Sequence, residues 1–360
     1  MNAVRLLPVA GALAALLAAV WAGLVRLGLP LPVPHAQWPL MHAALFGCGF
    51  FGTVIALERA IAYGREAAFA VPLANATATV VALAGLWELA LYIWVGAGVG
   101  LVVVAFLQAR AIREPYADVL TLAASFLPLA AVFVLGGHGT AAALSWIAFL
   151  VLTIAAERLE LSRVMPRPAW ATALPPLLAF ALAVPVWFAV SHPLGAQRGL
   201  ALALLAWVAW LARFDVIRIT LRRPGQPRFT AVCLISGYAW LAVAAIVLGA
   251  ANVPLGAGDA AYDAVLHAVF VGFVMSMLFG HAPIILPAIT GWRPRVRPAL
   301  YLALAVLHLS VALRLSGDAV GLTSLRQTGG VMHVAALVLY ALLLVQGGGT
   351  RIRLSAPAKR

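Results

Sequence analysis

Charge is what this chain of 360 residues has least of. Lys and Arg total 24 and Asp and Glu total 11, while 64% of the residues are hydrophobic. A soluble domain of this length needs a much larger charged surface, so that class is excluded. Lysine is almost missing, Lys359 being the single one. The two cysteines, Cys48 and Cys233, both sit inside apolar runs, which excludes a disulfide framework and a CxxC redox motif. There is no Walker loop, no G-x-S-x-G and no H-E-x-x-H, so phosphate binding and the familiar hydrolase chemistries have no carrier.

What the chain has in quantity is apolar runs of spanning length, and its mean hydropathy is +1.04. They fall near Val4–Leu29, Leu40–Ala62, Phe69–Leu86, Leu89–Ala109, Ala117–Leu135, Thr140–Ala156, Ala171–Val190, Leu200–Leu211, Thr230–Ala250, Tyr262–Ile289, Ala299–Leu315 and Gly330–Val345. The expectation is an all-α integral membrane protein of about twelve transmembrane helices, forming a single polytopic domain (1–360) with no soluble domain. The eighth run is short unless it extends toward Arg218. The first is too long for a signal-peptide core and is read as a span. Loop arginines alternate: all the basic residues fall on one side of the twelve-span topology except Arg26, Arg198, Arg314 and Arg326. By the positive-inside rule both termini are cytoplasmic and the lipid bilayer is the partner. The net charge of +13 then needs no nucleic acid.

Two short similarities suggest an internal repeat. HAALFG (42–47) and HAVFVG (267–272) open spans 2 and 10, and IALERA (55–60) and IAAERL (154–159) end spans 2 and 6. Glu58–Arg59 and Glu157–Arg158 read as interfacial anchors of their helices. Trp21, Trp38, Trp87, Trp94, Trp170, Trp187, Trp240 and Trp292 read as an aromatic belt.

Ionisable residues within spans carry the functional expectation. His42, His267 and His333 fall in the first two turns of spans 2, 10 and 12, which this topology places in one outward layer. His308 lies near the middle of span 11. His281, fourteen residues after His267 and within about 40° of the same helix face, belongs to the cytoplasmic half. A layer of imidazoles suits haem or copper ligation, and it equally suits hydrogen bonding between helices or a water-lined cavity. Asp263, four residues before His267, either accepts that ring's N–H or stands as a plain charge near the surface. Arg314 either pairs with haem propionates or snorkels to the interface. Pro283 and Pro287 weaken span 10, and His281 either satisfies the freed backbone, lines a path or binds metal. His35, His138 and His192 read as loop residues.

WPLMHAALFGCGFFGTVIALERA (38–60), LHAVFVGFVMSM (266–277) and LHLSVALRL (307–315) resemble segments of the NnrS family. That resemblance implies a bacterial inner-membrane protein with haem and copper, linked to nitric oxide metabolism and nitrosative stress. More distantly the layout is similar to the catalytic subunit of haem–copper oxidases, which implies three four-helix arcs with His42 and His267 as the haem pair. The oxidases also hold copper with histidines inside spans 6 and 7, and this chain has none there, which argues against a terminal oxidase. Any copper would draw on His308, His333 or His281. The rival expectation is a proton-coupled secondary transporter or permease that uses the intramembrane histidines. A purely structural role for those histidines is a third.

Overall fold

The computed structural model describes residues 3–351. Twelve of its helices are long and apolar enough to cross a membrane, and the fold is an all-α multi-pass membrane protein. They are α1 (Arg5–Arg26), α2 (Trp38–Tyr63), α3 (Glu66–Leu83), α4 (Trp87–Ile112), α5 (Pro115–Leu135), α6 (Gly139–Ser162), α7 (Ala169–Trp187), α8 (Pro193–Phe214), α9 (Gln226–Ala250), α10 (Ala260–Pro287), α11 (Leu300–Val320) and α12 (Thr323–Gln346). Large apolar side chains such as Leu17, Tyr92, Leu177, Leu202, Ile246 and Val345 remain exposed on these helices, as lipid contact requires. Arg353, Lys359 and Arg360, counted above among the basic residues of one side, lie outside the described residues.

Several expected boundaries move. α8 is not short: it begins at Pro193 and ends at Phe214, and Ile217–Thr220 is a separate turn of helix rather than its continuation. The gap expected between spans 11 and 12 is nearly all helix, because α11 runs to Val320 and α12 starts at Thr323. An antiparallel pair of short strands, β1 (Trp292–Pro294) and β2 (Gly349–Arg351), was not foreseen.

The chain divides into two compact units, a division that the sequence reading did not make. The first comprises Met1–Glu160 with Ala173–Ala196, and the second Leu161–Thr172 with Gln197–Arg360. In the first unit, α2 opens with a short 3-10 turn carrying Pro39 in its first positions, where a missing N–H costs nothing. It closes at Gly64, whose φ of +74° suits a left-handed cap. Between these ends, Leu45–Phe51 is π-helical. The Glu-Arg segments that end α2 and α6 converge: Arg59 Nη2 lies 2.9 Å from Glu58 Oε1 and 3.8 Å from Glu157 Oε1. Arg158 is buried, with 3% exposure. These residues, read above as interfacial anchors, also pack against one another within the unit.

In the second unit, α10 also contains a π-helical stretch, Ala268–Met275, between α-helical ends. A π-turn bonds i to i+5 and is held only where packing demands it, frequently at functional sites. Both stretches begin within the H-A-x-x-x-G motif, after its histidine, and in both the motif's glycine carries an indole. A Cβ at Gly47 would sit 2.7 Å from the Trp146 ring, and one at Gly272 would sit 2.5 Å from Trp240. The short repeat in sequence is therefore a repeat in local structure.

The expected proline break in span 10 is absent. The helix runs from Ser276 to Thr290 straight through Pro283 and Pro287. Proline at 283 supplies no N–H to the Phe279 carbonyl four residues back. The Tyr340 hydroxyl on α12 donates to that carbonyl at 2.6 Å, and the Phe279 and Tyr340 rings stack at 3.9 Å. Removing the hydroxyl leaves a buried acceptor with no partner. Tyr340→Phe is expected to lower stability by about 1–3 kcal/mol in detergent, read as a fall in unfolding midpoint with the helical signal otherwise retained.

Candidate functional site

In the first unit the His42 imidazole rests on α1, where Gly23 leaves room for it: a Cβ there would meet the ring at 2.8 Å. Its Nδ1 lies 2.6 Å from the Ala19 carbonyl. A carbonyl only accepts, so Nδ1 carries the proton and the neutral ring's lone pair is on Nε2.

The second unit holds a longer arrangement on α10, α11 and α12. His267 Nδ1 lies 2.8 Å from the Asp263 carbonyl and 3.2 Å from Asp263 Oδ2. Both are acceptors, so this ring too is protonated at Nδ1, and Asp263 is the partner that the i, i+4 spacing suggested. The carboxylate is fixed from the other side. Arg314 donates to Asp263 Oδ2 through Nε at 2.9 Å and Nη2 at 2.6 Å, and its Nη1 reaches the Arg326 carbonyl at 3.3 Å. Beyond it, Asp318 lies 3.8 Å from Arg314 Nε and 2.7 Å from Arg326 Nε. Arg314 and Asp318 are buried, at 4% and 6% exposure. Arg314 was expected to meet haem propionates or to snorkel. In the structure all three of its nitrogens are bonded within the unit.

Two glycines bring these groups together. A Cβ at Gly317 would fall 2.6 Å from the Arg326 amide nitrogen, and one at Gly329 would fall 2.7 Å from that of Arg314. α11 and α12 can cross at backbone contact only because these positions have no side chain. The same crossing places Ser310 Oγ 2.7 Å from His333 Nδ1. The serine donates its one proton to the Leu307 carbonyl at 2.6 Å, so it receives the Nδ1 proton of His333. The His333 and His267 rings stack, 5.7 Å between centroids and 20° between planes. The layer expected for these two histidines is thus a direct ring contact.

The other candidates divide. His281 Nδ1 donates to the Met277 carbonyl at 2.7 Å, while Tyr340 meets the carbonyl freed by proline. His308 lacks a free lone pair in this arrangement. The Trp240 indole donates to its Nδ1 at 2.9 Å, and its Nε2 proton goes to Ser236 Oγ at 2.8 Å. That corrects its candidacy as a metal ligand, and it corrects Trp240 as a belt residue. Trp94, also assigned to the belt, is fully buried. His138 and His192 are exposed, and His35 is half-buried, edge-on to Trp38. Among the described residues no three His, Cys, Asp or Glu side chains gather where a metal ion could be held.

The sequence reading missed Asp318, Arg326 and Ser310. Arg314 and Asp318 stand four apart within one helix, a spacing that would have announced the pair had the apolar run not seemed to end at Leu315.

Fold and site together define a polytopic all-α membrane protein with a partly buried chain of ion pairs and imidazoles in its second unit. Residues 5–347 match the family described as Domain of unknown function (DUF8744), and the chain belongs to that family. No curated protein and no solved structure matches it.

The Asp263–Arg314 pair generates a stability test. Removing one partner leaves an uncompensated buried charge, whereas replacing both with apolar groups is often close to neutral. Asp263→Asn is expected to cost about 3 kcal/mol, and Asp263→Ala combined with Arg314→Met is expected to recover most of that loss. Unfolding midpoints of the two variants in the same detergent check this.

Proposed function

We propose that this is a haem-binding membrane protein of NnrS-like type, with His42 the candidate iron ligand of the first unit and His267 that of the second. It acts on nitric oxide or its metal complexes, in a bacterial inner membrane with both termini cytoplasmic. One observation carries the reading. In each unit a histidine opens the same H-A-x-x-x-G motif, precedes a π-helical stretch, and has its Nδ1 proton fixed on a main-chain carbonyl. A metal-binding histidine characteristically donates its second ring N–H in this way, which fixes the tautomer and strengthens the ligating nitrogen. The donors fit haem iron on that ground. The arginine alternation supports the orientation.

Haem, when bound, would supply an iron that exchanges electrons and takes small ligands such as nitric oxide. The chain's own part is preorganisation. The Ala19 carbonyl and the Asp263 carbonyl set the two ring planes, and the Asp263 carboxylate adds negative charge beside His267. Arg314 in turn holds that carboxylate in place. Copper is left out of the proposal, because His308 is bonded at both nitrogens and no cluster of three donors exists among the described residues.

The ionic chain of the second unit favours one other reading, a proton-coupled transporter. Asp318, Asp263 and His267, with His333 stacked on the last, form a series of proton-exchanging groups that Arg314 and Arg326 hold in place. Such series inside membrane helices are a feature of proton relays.

Absorption spectra separate the two. Protein expressed with ample haem is expected to show a Soret band that His42→Ala and His267→Ala each remove while His192→Ala keeps it. Helical content and elution volume show whether each variant is folded. A well-folded wild-type protein with no Soret band would end the haem reading. Proton uptake into vesicles by that haem-free protein, lost in Asp263→Ala/Arg314→Met, would establish the transporter instead.

A further inference from the structure

Where α4 turns into α5, in the first unit, the surface carries a groove of about 730 Å3. That lies within the range of clefts that hold small molecules, about 300–1,000 Å3. Its apolar wall includes Val102, Phe106 and Leu122, and its charged residues are Arg110, Arg113 and Asp118. None of these three charges makes an ion pair with any described residue, and all three are exposed. Arg110 lies over the Phe106 ring at 5.8 Å, so its guanidinium stays beside the apolar wall.

The position in the fold limits what can enter. α4 ends at Ile112 and α5 starts at Pro115, so only Arg113 and Glu114 join them. Arg113 turns the chain with φ +57°, the only positive φ among the described residues other than glycine. A turn this short keeps the groove at the ends of two spanning helices, where the hydrocarbon core gives way to headgroups. An occupant must therefore be partly apolar and reach the groove from the bilayer.

The charges limit it further. Two guanidinium groups suit a phosphate, which arginine binds with directed N–H donors. They do not explain Asp118, which would repel a simple anion. Asp118 sits in the first turn of α5, where the positive end of the helix dipole complements a negative charge. The Thr121 and Ser125 hydroxyls do not relieve it, since they donate to the Ala117 and Leu122 carbonyls of their own helix. A groove with two cations, one anion and an apolar wall complements a molecule with an anionic group, a cationic group and a hydrocarbon tail.

We propose that the α4–α5 groove binds a glycerophospholipid whose headgroup carries both a phosphate and an ammonium, as in phosphatidylethanolamine. Arg110 and Arg113 hold the phosphate, Asp118 holds the ammonium, and the Val102–Phe106–Leu122 wall takes the start of an acyl chain. This site is independent of the haem reading.

The full-length protein, delipidated in detergent and then offered equimolar phosphatidylethanolamine and phosphatidylglycerol, tests the assignment by native mass spectrometry. Wild type is expected to retain the ethanolamine lipid in preference. Arg110→Gln/Arg113→Gln should reduce retention of both lipids by roughly tenfold or more, since each basic group near the surface contributes to the attraction. Asp118→Asn should reverse the preference toward the glycerol lipid. Because the three side chains are exposed and unpaired, all variants are expected to keep the wild-type unfolding midpoint, which is measured alongside. Equal retention of the two lipids by wild type would overturn the proposal, and so would a preference for the glycerol lipid. Unchanged retention in the double arginine variant would overturn it as well.

Discussion

The contact on which the second unit most depends is the one between Arg314 and Asp263, at 2.6 and 2.9 Å on a single carboxylate oxygen. Lipid offers no water to solvate a charge, so each ion within a span must find its opposite inside the protein. Arg314 has that opposite on α10, and this binds α11 to α10. Asp318 and Arg326 then extend the series onto α12. The two arginines and the two aspartates cancel, which is what makes their burial tolerable. The pair adds modest net stability, and its force lies in penalising every arrangement of the three helices that would separate it.

Two glycines make that arrangement attainable. Gly317 and Gly329 let α11 and α12 meet at the backbone, and at any larger separation Arg314 Nη1 would lose the Arg326 carbonyl. Small residues at such crossings compensate for the missing hydrophobic drive between helices that are both already in an apolar solvent. His333 gains from the same closeness, because Ser310 reaches it across the crossing. Ring orientation, ion pairing and backbone packing are thus one device in this unit. A change to any one of them is transmitted to the others.

How much of this was legible follows from which forces leave a trace in one dimension. Hydropathy and arginine alternation reveal spans directly, and all twelve appear near the expected places. The Asp263–His267 spacing was legible because both residues stand on one helix face. Asp318 and Arg326 were not, because hydropathy ends a span at the first charges. Here the helices run on, since those charges are neutralised by each other. The prolines of α10 misled for a related reason. Pro283 does free a carbonyl, but the helix does not break, because Tyr340 on a helix far along the chain takes that carbonyl up. Partners that satisfy a local defect from a distance leave no mark near the defect.

The Tyr340 and Trp240 contacts also bear on how the histidines should be weighed. An imidazole in a span signals function by default, yet four of the five spanning histidines here donate Nδ1 to a protein acceptor and the fifth, His308, does not. Burial does not separate them, since all five are half-buried. Tautomer does: a ring locked at Nδ1–H keeps its lone pair on the outer nitrogen, whereas an indole donating to Nδ1 forces the proton onto Nε2 and ends the ring's use as a ligand there. Trp240 lies on Gly272, the glycine of the second H-A-x-x-x-G motif, and it is that packing which holds its N–H on His308. The motif that opens with a candidate ligand, His267, therefore also takes His308 out of contention five residues further along.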